Sequence, residues 1–318
     1  MTSTVELPDT AQAAAPHAAP VAPTPDAFHA GAPLGTSPGA SPGTPPSTSP
    51  GTSPGISRVF DVDCVLSYQL AGPSDFLFQI HALNGRDQEV LSESLTLVPA
   101  IPAHVYQDPM QYHRFMRLQV PAGSFELRYQ ARVRRTPEPV DLNALEVPIA
   151  ELPDDVLHHL MPTRYCESDV LSHAAQKLFG GLPRGHSRVV AICDWIHDNI
   201  DYQVGTSSAT TTALNVFTQR AGVCRDFAHL GVTFCRALNI PARLVVGHAR
   251  FAEPPPDFHA VFEAWLGGRW VLFDATRMAP LDELVRIASG RDAKDVAFAT
   301  IYGPAVMTAM SPLVNEVL

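Results

Sequence analysis

Residues 220–248 read RAGVCRDFAHLGVTFCRALNIPARLVVGH. After Cys224, apolar residues recur at the i, i+3 and i+4 spacing of an amphipathic helix: Phe227, Leu230, Phe234 and Leu238. The pattern predicts a helix that begins at or near Cys224. The helix ends before Pro241, because proline cannot continue it. A helix N-terminus offers unpaired N–H groups and a positive dipole end, which favour a thiolate and can stabilise an oxyanion. Cys224 is therefore the predicted nucleophile.

A second stretch, residues 257–280, reads DFHAVFEAWLGGRWVLFDATRMAP and predicts two strands joined by a tight turn. The pair Gly267-Gly268 is a strong signal for a two-residue hairpin loop. With that loop, Leu266 faces Arg269, and the register of the whole hairpin follows from this pair.

The hairpin register predicts that His259 faces Thr276, with Asp274 two residues away on the same face of the sheet. Diagonal neighbours lie roughly 7–8 Å apart at Cα, within reach of long side chains. The carboxylate can then orient the imidazole as a base for the thiol. A one-residue error in the turn would place Asp274 on the opposite face. A single histidine or aspartate here is typical of a structural residue, so only the combination with Cys224 points to catalysis.

The other cysteines fit structural roles. Cys235 lies 11 residues after Cys224, roughly 16 Å along the helix, so the two cannot form a disulfide within one helix. Cys235 is expected in the core, as are Cys64 on a strand pattern and Cys193 on a helical stripe. Cys193 and His197 are four residues apart, but without further ligands nearby a metal site is not expected.

Composition narrows the class of protein. The chain has 318 residues and a formal net charge of −10, which argues against nucleic acid as the main partner. No apolar run approaches the roughly 18–20 residues that span a bilayer, and the first residues lack the pattern of a Sec signal peptide. Five cysteines without a CxxC motif favour a reducing compartment over a secreted disulfide scaffold. We therefore expect a cytoplasmic protein with neither nucleic acid nor membrane as partner.

The chain divides into three predicted parts. Residues 1–57 contain 12 of the 30 prolines, which predicts a disordered tail, with a docking or spacer arm as the alternative. Residues 58–150 hold stretches of period-two alternation, such as RVFDVDCVLSYQL, and predict a small β-sandwich-like domain. Residues 151–318 mix helical and strand patterns and carry the three candidate catalytic residues. The predicted fold class is α+β.

Several motifs together resemble those of the transglutaminase-like superfamily, in the order Cys, His, Asp: GVCRDFAHL, NIPARLVVGH, FHAVFEAW and WVLFDAT. Within it, the chain is similar to bacterial transglutaminase-like cysteine peptidases that carry an N-terminal β domain. The similarity extends over most of residues 58–318, including RYCESD and GRDAKDVAFATIYG, but not over the proline-rich tail.

The resemblance implies a papain-like α+β core and acyl transfer through a thioester. Cys224 would be the nucleophile, His259 the base and acid, and Asp274 the orienting carboxylate. The resemblance implies a protein or peptide substrate and implies no metal and no organic cofactor. Because the sequence has no EF-hand-like loop, we also expect the activity to be independent of calcium. Tyr202, the nearest tyrosine upstream of Cys224, is only a weak candidate for the aromatic residue that helps to form the oxyanion hole.

Three functional alternatives stay open. Hydrolysis of an amide or peptide and transfer to an amine use the same three side chains, so the sequence does not separate them. A catalytically idle binding module that retains the fold is a different class of function, although a degenerate site would usually have lost a triad residue. An arylamine acyltransferase shares the Cys-His-Asp logic, but it would have its cysteine much closer to the N-terminus.

Overall fold

The computed structural model of the protein describes residues 55–85, 87–108, 113–251 and 257–317. These residues form an α+β fold in which strand-rich layers precede a core of helices packed on a sheet. The predicted disordered tail, residues 1–57, lies outside the described residues except for its last three positions. Within the described ranges, no helix has the length and apolar character needed to cross a membrane.

Six strands form the N-terminal layers: β1 (Arg58–Leu70), β2 (Ser74–Phe78), β3 (Gln88–Val98), β4 (His104–Gln107), β5 (Arg114–Val120) and β6 (Gly123–Arg135). One antiparallel sheet contains β1, β6 and β3, and another contains β2, β5 and β4. Aromatic side chains join the sheets, since Tyr68 of β1 lies edge-on to Phe76 of β2 with 5.1 Å between ring centroids. This is the predicted sandwich-like arrangement.

Strand β1 illustrates why these residues form a layered sheet. Phe60, Val62, Cys64 and Leu66 are all buried, whereas the residues between them are partly exposed. Successive side chains of a strand point to opposite faces, so this alternation gives one face to the core. The predicted burial of Cys64 is confirmed, and that burial raises the pKa of its thiol to about 12.

The core follows in the chain. Its helices are α1 (Asp154–Leu157), α2 (Ser172–Phe179), α3 (His186–Asn199), α4 (Ala213–Gln219), α5 (Cys224–Ala237) and α6 (Ala293–Val296), with 3-10 turns at Ile149–Glu151, His158–Leu160 and Leu281–Glu283. The strands are β7 (Asp201–Tyr202), β8 (Ala221–Gly222), β9 (Ala242–His248), β10 (Phe258–Leu266), β11 (Arg269–Phe273), β12 (Val285–Gly290), β13 (Ala299–Tyr302) and β14 (Ala305–Val317). The order β11-β10-β9-β12 forms an antiparallel sheet on which α5 packs.

Helix α5 approaches β10 unusually closely at one point. A Cβ atom at position 231 would lie 2.5 Å from the ring of Phe262, so only glycine fits there without a shift. One turn further along α5, Phe234 packs edge-on against Trp195 of α3. The helix is therefore buried along most of its length, and the predicted core positions of Cys235 and Cys193 are confirmed.

The last two strands return to the N-terminal layers. β14 pairs antiparallel with β1 along nearly its whole length, and β13 pairs with β2. Residues 299–317 thus supply one edge strand to each of the two N-terminal sheets. A division of the chain at residue 150 assigns these two strands to the other part of the chain. Pairing between strands more than 200 residues apart leaves no local pattern in the sequence, because each strand alone satisfies only the period-two rule.

The predicted hairpin register is confirmed where the two strands pair. Leu266 faces Arg269, and the ladder continues as far as Phe262 and Phe273. The expected facing pair of His259 and Thr276 is wrong, because β11 ends at Phe273 and its ladder with β10 reaches neither residue. The chain turns away after β11.

Replacing Gly231 by alanine is expected to destabilise the protein by roughly 1–3 kcal/mol, because the added methyl group overpacks the contact with Phe262. Gly181→Ala is the matched control, since a Cβ there meets nothing within 4 Å. Urea denaturation followed by far-ultraviolet circular dichroism measures both variants. Equal free energies of unfolding for the two would contradict the close approach.

Candidate active site

The start of helix α5 is shaped by three residues around the cysteine. The carboxylate of Asp226 accepts a hydrogen bond from the N–H of Val223 at 3.0 Å and closes the first turn. A Cβ at Gly222 would come within 2.8 Å of the Asp226 side chain, which explains the glycine two residues before Cys224. Cys224 is the first residue of the helix and is partly exposed. Cys224 is thus held at a helix N-terminus, as the apolar spacing predicts.

His259 and Asp274 form the central polar contact of the site. Nε2 of His259 lies 2.8 Å from Oδ2 of Asp274, and both side chains are buried. The second carboxylate oxygen accepts from the N–H and the hydroxyl of Thr276, at 2.8 and 2.7 Å. This local turn carries Asp274 out of the β11 ladder and aims its carboxylate at the imidazole. The hairpin register itself is as expected, but it ends at Phe273, so the turn and not a strand pairing brings the two residues together.

The remaining imidazole nitrogen is available for the thiol. With Nε2 facing Asp274, Nδ1 is the nitrogen that can exchange a proton with the thiol, and it has no hydrogen-bond partner among the described residues. The thiol of Cys224 lies beside the N-terminal end of β10, the strand that contains His259, with Sγ 3.9 Å from the carbonyl oxygen of Phe258. The structure therefore brings Cys224, His259 and Asp274 into one site, and their catalytic roles stay predictions.

Opposing effects set the pKa of His259. Burial lowers this pKa, but the hydrogen bond to Asp274 and the interaction with the Cys224 side chain together raise it by more than burial lowers it. The pKa of His259 therefore reaches about 9. Burial also disfavours the charged form of Asp274, yet the hydrogen bonds from His259 and Thr276 outweigh this and hold its pKa below the usual value. The arrangement thus favours an imidazolium beside a carboxylate.

Tyr202 lies next to Cys224, a position that its place in the sequence indicated only weakly. The two-residue parallel ladder of β7 and β8 pairs Tyr202 with Gly222. Its ring lies 5.9 Å from that of Phe227, and the residue is 38% exposed. Burial and the charge on Cys224 raise the pKa of Tyr202, while its contact with the backbone N–H of Cys224 lowers it. The hydroxyl is therefore within reach of both the thiol and the helix N-terminus.

A serine- and threonine-rich loop, residues 203–212, is tied to the same helix end. Nη2 of Arg225 donates to the hydroxyl of Ser207 at 2.5 Å and to the carbonyl of Ser208 at 2.8 Å. The hydroxyl of Tyr165, from the RYCESD motif, donates to the carbonyl of Ala209 at 2.7 Å. These contacts hold the loop beside Cys224 and give the motif a positioning role that its sequence did not indicate.

The other candidate groups take structural positions. His229 is buried, its Nε2 accepts from the N–H of Ala293 at 3.1 Å, and burial lowers its pKa to about 3. It is neutral at physiological pH and is unsuited to act as a base. In the part of the chain that the structure describes, no cluster of three or more His, Cys, Asp or Glu side chains is suited to hold a metal. Cys193 and His197 therefore do not belong to such a cluster.

Known proteins share this architecture. The chain matches the family profile of the transglutaminase-like superfamily over residues 172–275 and that of the bacterial transglutaminase N-terminal domain over residues 58–155. A crystal structure of a candidate cysteine protease from Cytophaga hutchinsonii is 42% identical, covers 83% of this chain and 92% of that chain, and superposes with a TM-score of 0.80.

More distant relatives are uncharacterized mycobacterial proteins. A Mycobacterium leprae protein is 30% identical over 148 residues, which cover 43% of this chain and 52% of that protein. A Mycobacterium bovis protein is 30% identical over 116 residues, which cover 32% of this chain and 37% of that protein. The chain thus spans about half or less of the curated relatives that it matches. Its two family profiles and its similarity to the Cytophaga structure show that the chain belongs to the transglutaminase-like superfamily.

Proposed function

We propose that the protein is a thiol-dependent enzyme that transfers acyl groups from amide or peptide carbonyls. The observation that carries the proposal is the 2.8 Å hydrogen bond between Nε2 of His259 and Asp274, which leaves Nδ1 free near a cysteine at a helix N-terminus. A nucleophile, a base and an orienting group in this order are the parts that thiol acyl transfer needs.

The proposed reaction begins from a thiolate–imidazolium pair, in which the proton of the Cys224 thiol already resides on Nδ1 of His259. The thiolate attacks the carbonyl carbon, and the developing oxyanion is stabilised by the backbone N–H of Cys224 at the positive end of α5. The imidazolium, favoured by Asp274, then protonates the departing amine and leaves a thioester. Water or an acceptor amine resolves the thioester, with His259 taking the proton of the incoming nucleophile.

Tyr202 is the proposed second donor to the oxyanion. Its hydroxyl contacts the backbone N–H of Cys224, the same group that would bind the oxyanion. A substrate carbonyl that enters there would displace this contact, and the hydroxyl could then donate to the oxygen as negative charge develops. The two-residue ladder of β7 with β8 keeps the ring in place during the exchange.

Hydrolysis of a protein or peptide is the first form of the activity to test, because the Cytophaga protein is described as a candidate cysteine protease. Transamidation is the second form, since the residues are the same and only the acceptor differs. We further propose a reducing cytoplasm as the compartment. All five cysteines are free thiols, and a thiol nucleophile must stay reduced to act.

Alkylation with iodoacetamide, mapped by mass spectrometry, is expected to label Cys224 fastest. Burial raises the pKa of Cys166 to about 12 and that of the Cys235 and Cys193 thiols well above the usual value, so these react slowly. His259→Ala should slow labelling of Cys224 about tenfold or more, because the base is lost.

The matched control for this variant is His197→Ala, which removes an exposed histidine of α3. Asp274→Asn should slow labelling of Cys224 by a smaller factor than His259→Ala. If Cys224 is alkylated no faster than Cys166, or if His259→Ala leaves the alkylation rate of Cys224 unchanged, the triad is not assembled. The idle binding module would then be the better description of the protein.

The titration of His259 tests the electrostatics of the site directly. In the wild type its imidazole should stay protonated through neutral pH and titrate near 9. Cys224→Ala and Asp274→Asn should each lower the pKa, since each removes a group that favours the imidazolium. Nitrogen-15 NMR of the histidine side chains measures this. A value for His259 that neither substitution changes would contradict the proposed contacts.

Tyr202→Phe should slow acylation by p-nitrophenyl acetate about 10- to 100-fold, because it removes a donor to the oxyanion. The ring contact with Phe227 is retained. Alkylation of Cys224 should change far less, since that reaction forms no oxyanion. Tyr302→Phe, at an exposed position, is the control. Equal slowing of acylation and alkylation would assign Tyr202 to thiol positioning instead.

A further inference from the structure

Tyr202 lies beside Cys224 with little packing to hold it there. The residue is 38% exposed, and the ring contact described for it is a tilted one with Phe227. Its backbone belongs to the two-residue ladder of β7 and β8, in which the N–H of Gln203 donates to the carbonyl of Gly222 at 2.9 Å. Pairing between two short strands is only marginally stable in water, so further contacts must hold this segment in place.

Arg225 connects the loop of residues 203–212 to the start of helix α5. Its Nη2 group donates to the hydroxyl of Ser207 at 2.5 Å and to the carbonyl of Ser208 at 2.8 Å. The same nitrogen lies 3.1 Å from Oδ1 of Asp226, and Nε lies 3.3 Å from that oxygen. One planar group thus contacts the loop and the helix at once, which the compact ammonium group of a lysine does not reproduce.

The carboxylate of Asp226 fixes the direction of this guanidinium. The side chain of Asp226 is fully buried, and its other oxygen, Oδ2, accepts from the N–H of Val223 at 3.0 Å. The side chain of Arg225 is 28% exposed, so its contacts are partly shielded from water, and hydrogen bonds between ionised groups are stronger than those between neutral ones. Because the carboxylate cannot move without uncapping the helix, Arg225 is anchored on a rigid element.

The contacts form a closed circuit that includes Tyr202. From Ser207 the chain runs back through Thr206, whose hydroxyl donates to the carbonyl of Gln203 at 2.7 Å. Gln203 is bonded in turn to Gly222, which lies two residues before α5 begins. Loosening of the guanidinium therefore releases one side of the circuit, and with it the segment that carries the tyrosine.

We propose that Arg225 is a positioning residue, which acts through the loop of residues 203–212 to keep Tyr202 beside the N–H of Cys224. This inference rests on the proposed function, in which Tyr202 donates to the oxyanion. The effect of Arg225 is on the formation of the oxyanion and not on the reactivity of the thiol.

Arg225→Lys keeps the positive charge and loses the contacts that need a planar group. It should slow acylation by p-nitrophenyl acetate about tenfold, because the second donor to the oxyanion is displaced. Alkylation of Cys224 by iodoacetamide forms no oxyanion and should stay within about twofold of the wild-type rate. Arg184→Lys, at an exposed position outside α5 and the loop, is the matched control. Equal slowing of the two reactions would overturn the proposal.

A double-mutant cycle tests whether Arg225 acts through Tyr202. If it does, adding Arg225→Lys to Tyr202→Phe should slow acylation by no more than about a further twofold, because the positioned hydroxyl is already gone. A further slowing of about tenfold would reveal an independent effect and overturn the proposal. Ser207→Ala removes one acceptor of the same nitrogen and should also slow acylation. If Arg225→Lys fails to fold, Ser207→Ala decides, and wild-type acylation in that variant would overturn the proposal.

Amide hydrogen exchange tests the same contacts without requiring catalysis. The Gln203 amide, which is bonded to Gly222, should exchange about tenfold faster in Arg225→Lys than in the wild type. The amide of Ile192, a buried residue of α3, is the internal reference and should be unchanged. Unchanged exchange at Gln203 would overturn the proposal. If the wild type is not acylated at all, the proposed function fails, whereas faster exchange at Gln203 still supports the role of Arg225 in holding this segment.

Discussion

The close packing of helix α5 on strand β10 is the constraint on which the site depends. Gly231 lets the helix approach the ring of Phe262, and this contact sets where the helix begins relative to the strand. Cys224 opens the helix and His259 lies near the start of the strand, so one packing distance controls their separation. A core of native density transmits small shifts, so a displaced helix would separate the thiol from its base even with both residues intact.

Burial acts on the histidines in opposite directions according to their partners. His229 and His248 are buried without a carboxylate beside them, and burial lowers their pKa values to about 3 and 4. His259 is also buried, but Asp274 and Cys224 outweigh that effect and its pKa rises to about 9. A buried imidazole therefore becomes a stable cation only where the fold supplies an acceptor, and in this protein the acceptor comes from the turn after β11.

The N-terminal layers and the core are joined by strands and by charges. β13 and β14 return from the core to complete the two N-terminal sheets. The carboxylates of Glu263 and Asp87, one from each region, both pair with Arg286. Buried ion pairs of this kind contribute less to stability than their Coulomb energy suggests, because the ions lose their hydration. Their geometry is nevertheless specific, because Arg286 faces one carboxylate from each region.

The sequence alone determined the elements whose contacts are local. Apolar spacing and Pro241 predicted the helix that begins at Cys224, and Gly267-Gly268 predicted the pairing of Leu266 with Arg269. Only the tertiary structure decided how Asp274 reaches His259, because that carboxylate acts beyond the end of its strand. The same holds for Tyr202, which a two-residue ladder brings beside the thiol. Helix and hairpin patterns arise between residues a few positions apart, whereas contacts between distant segments depend on the packing free energy of the whole fold.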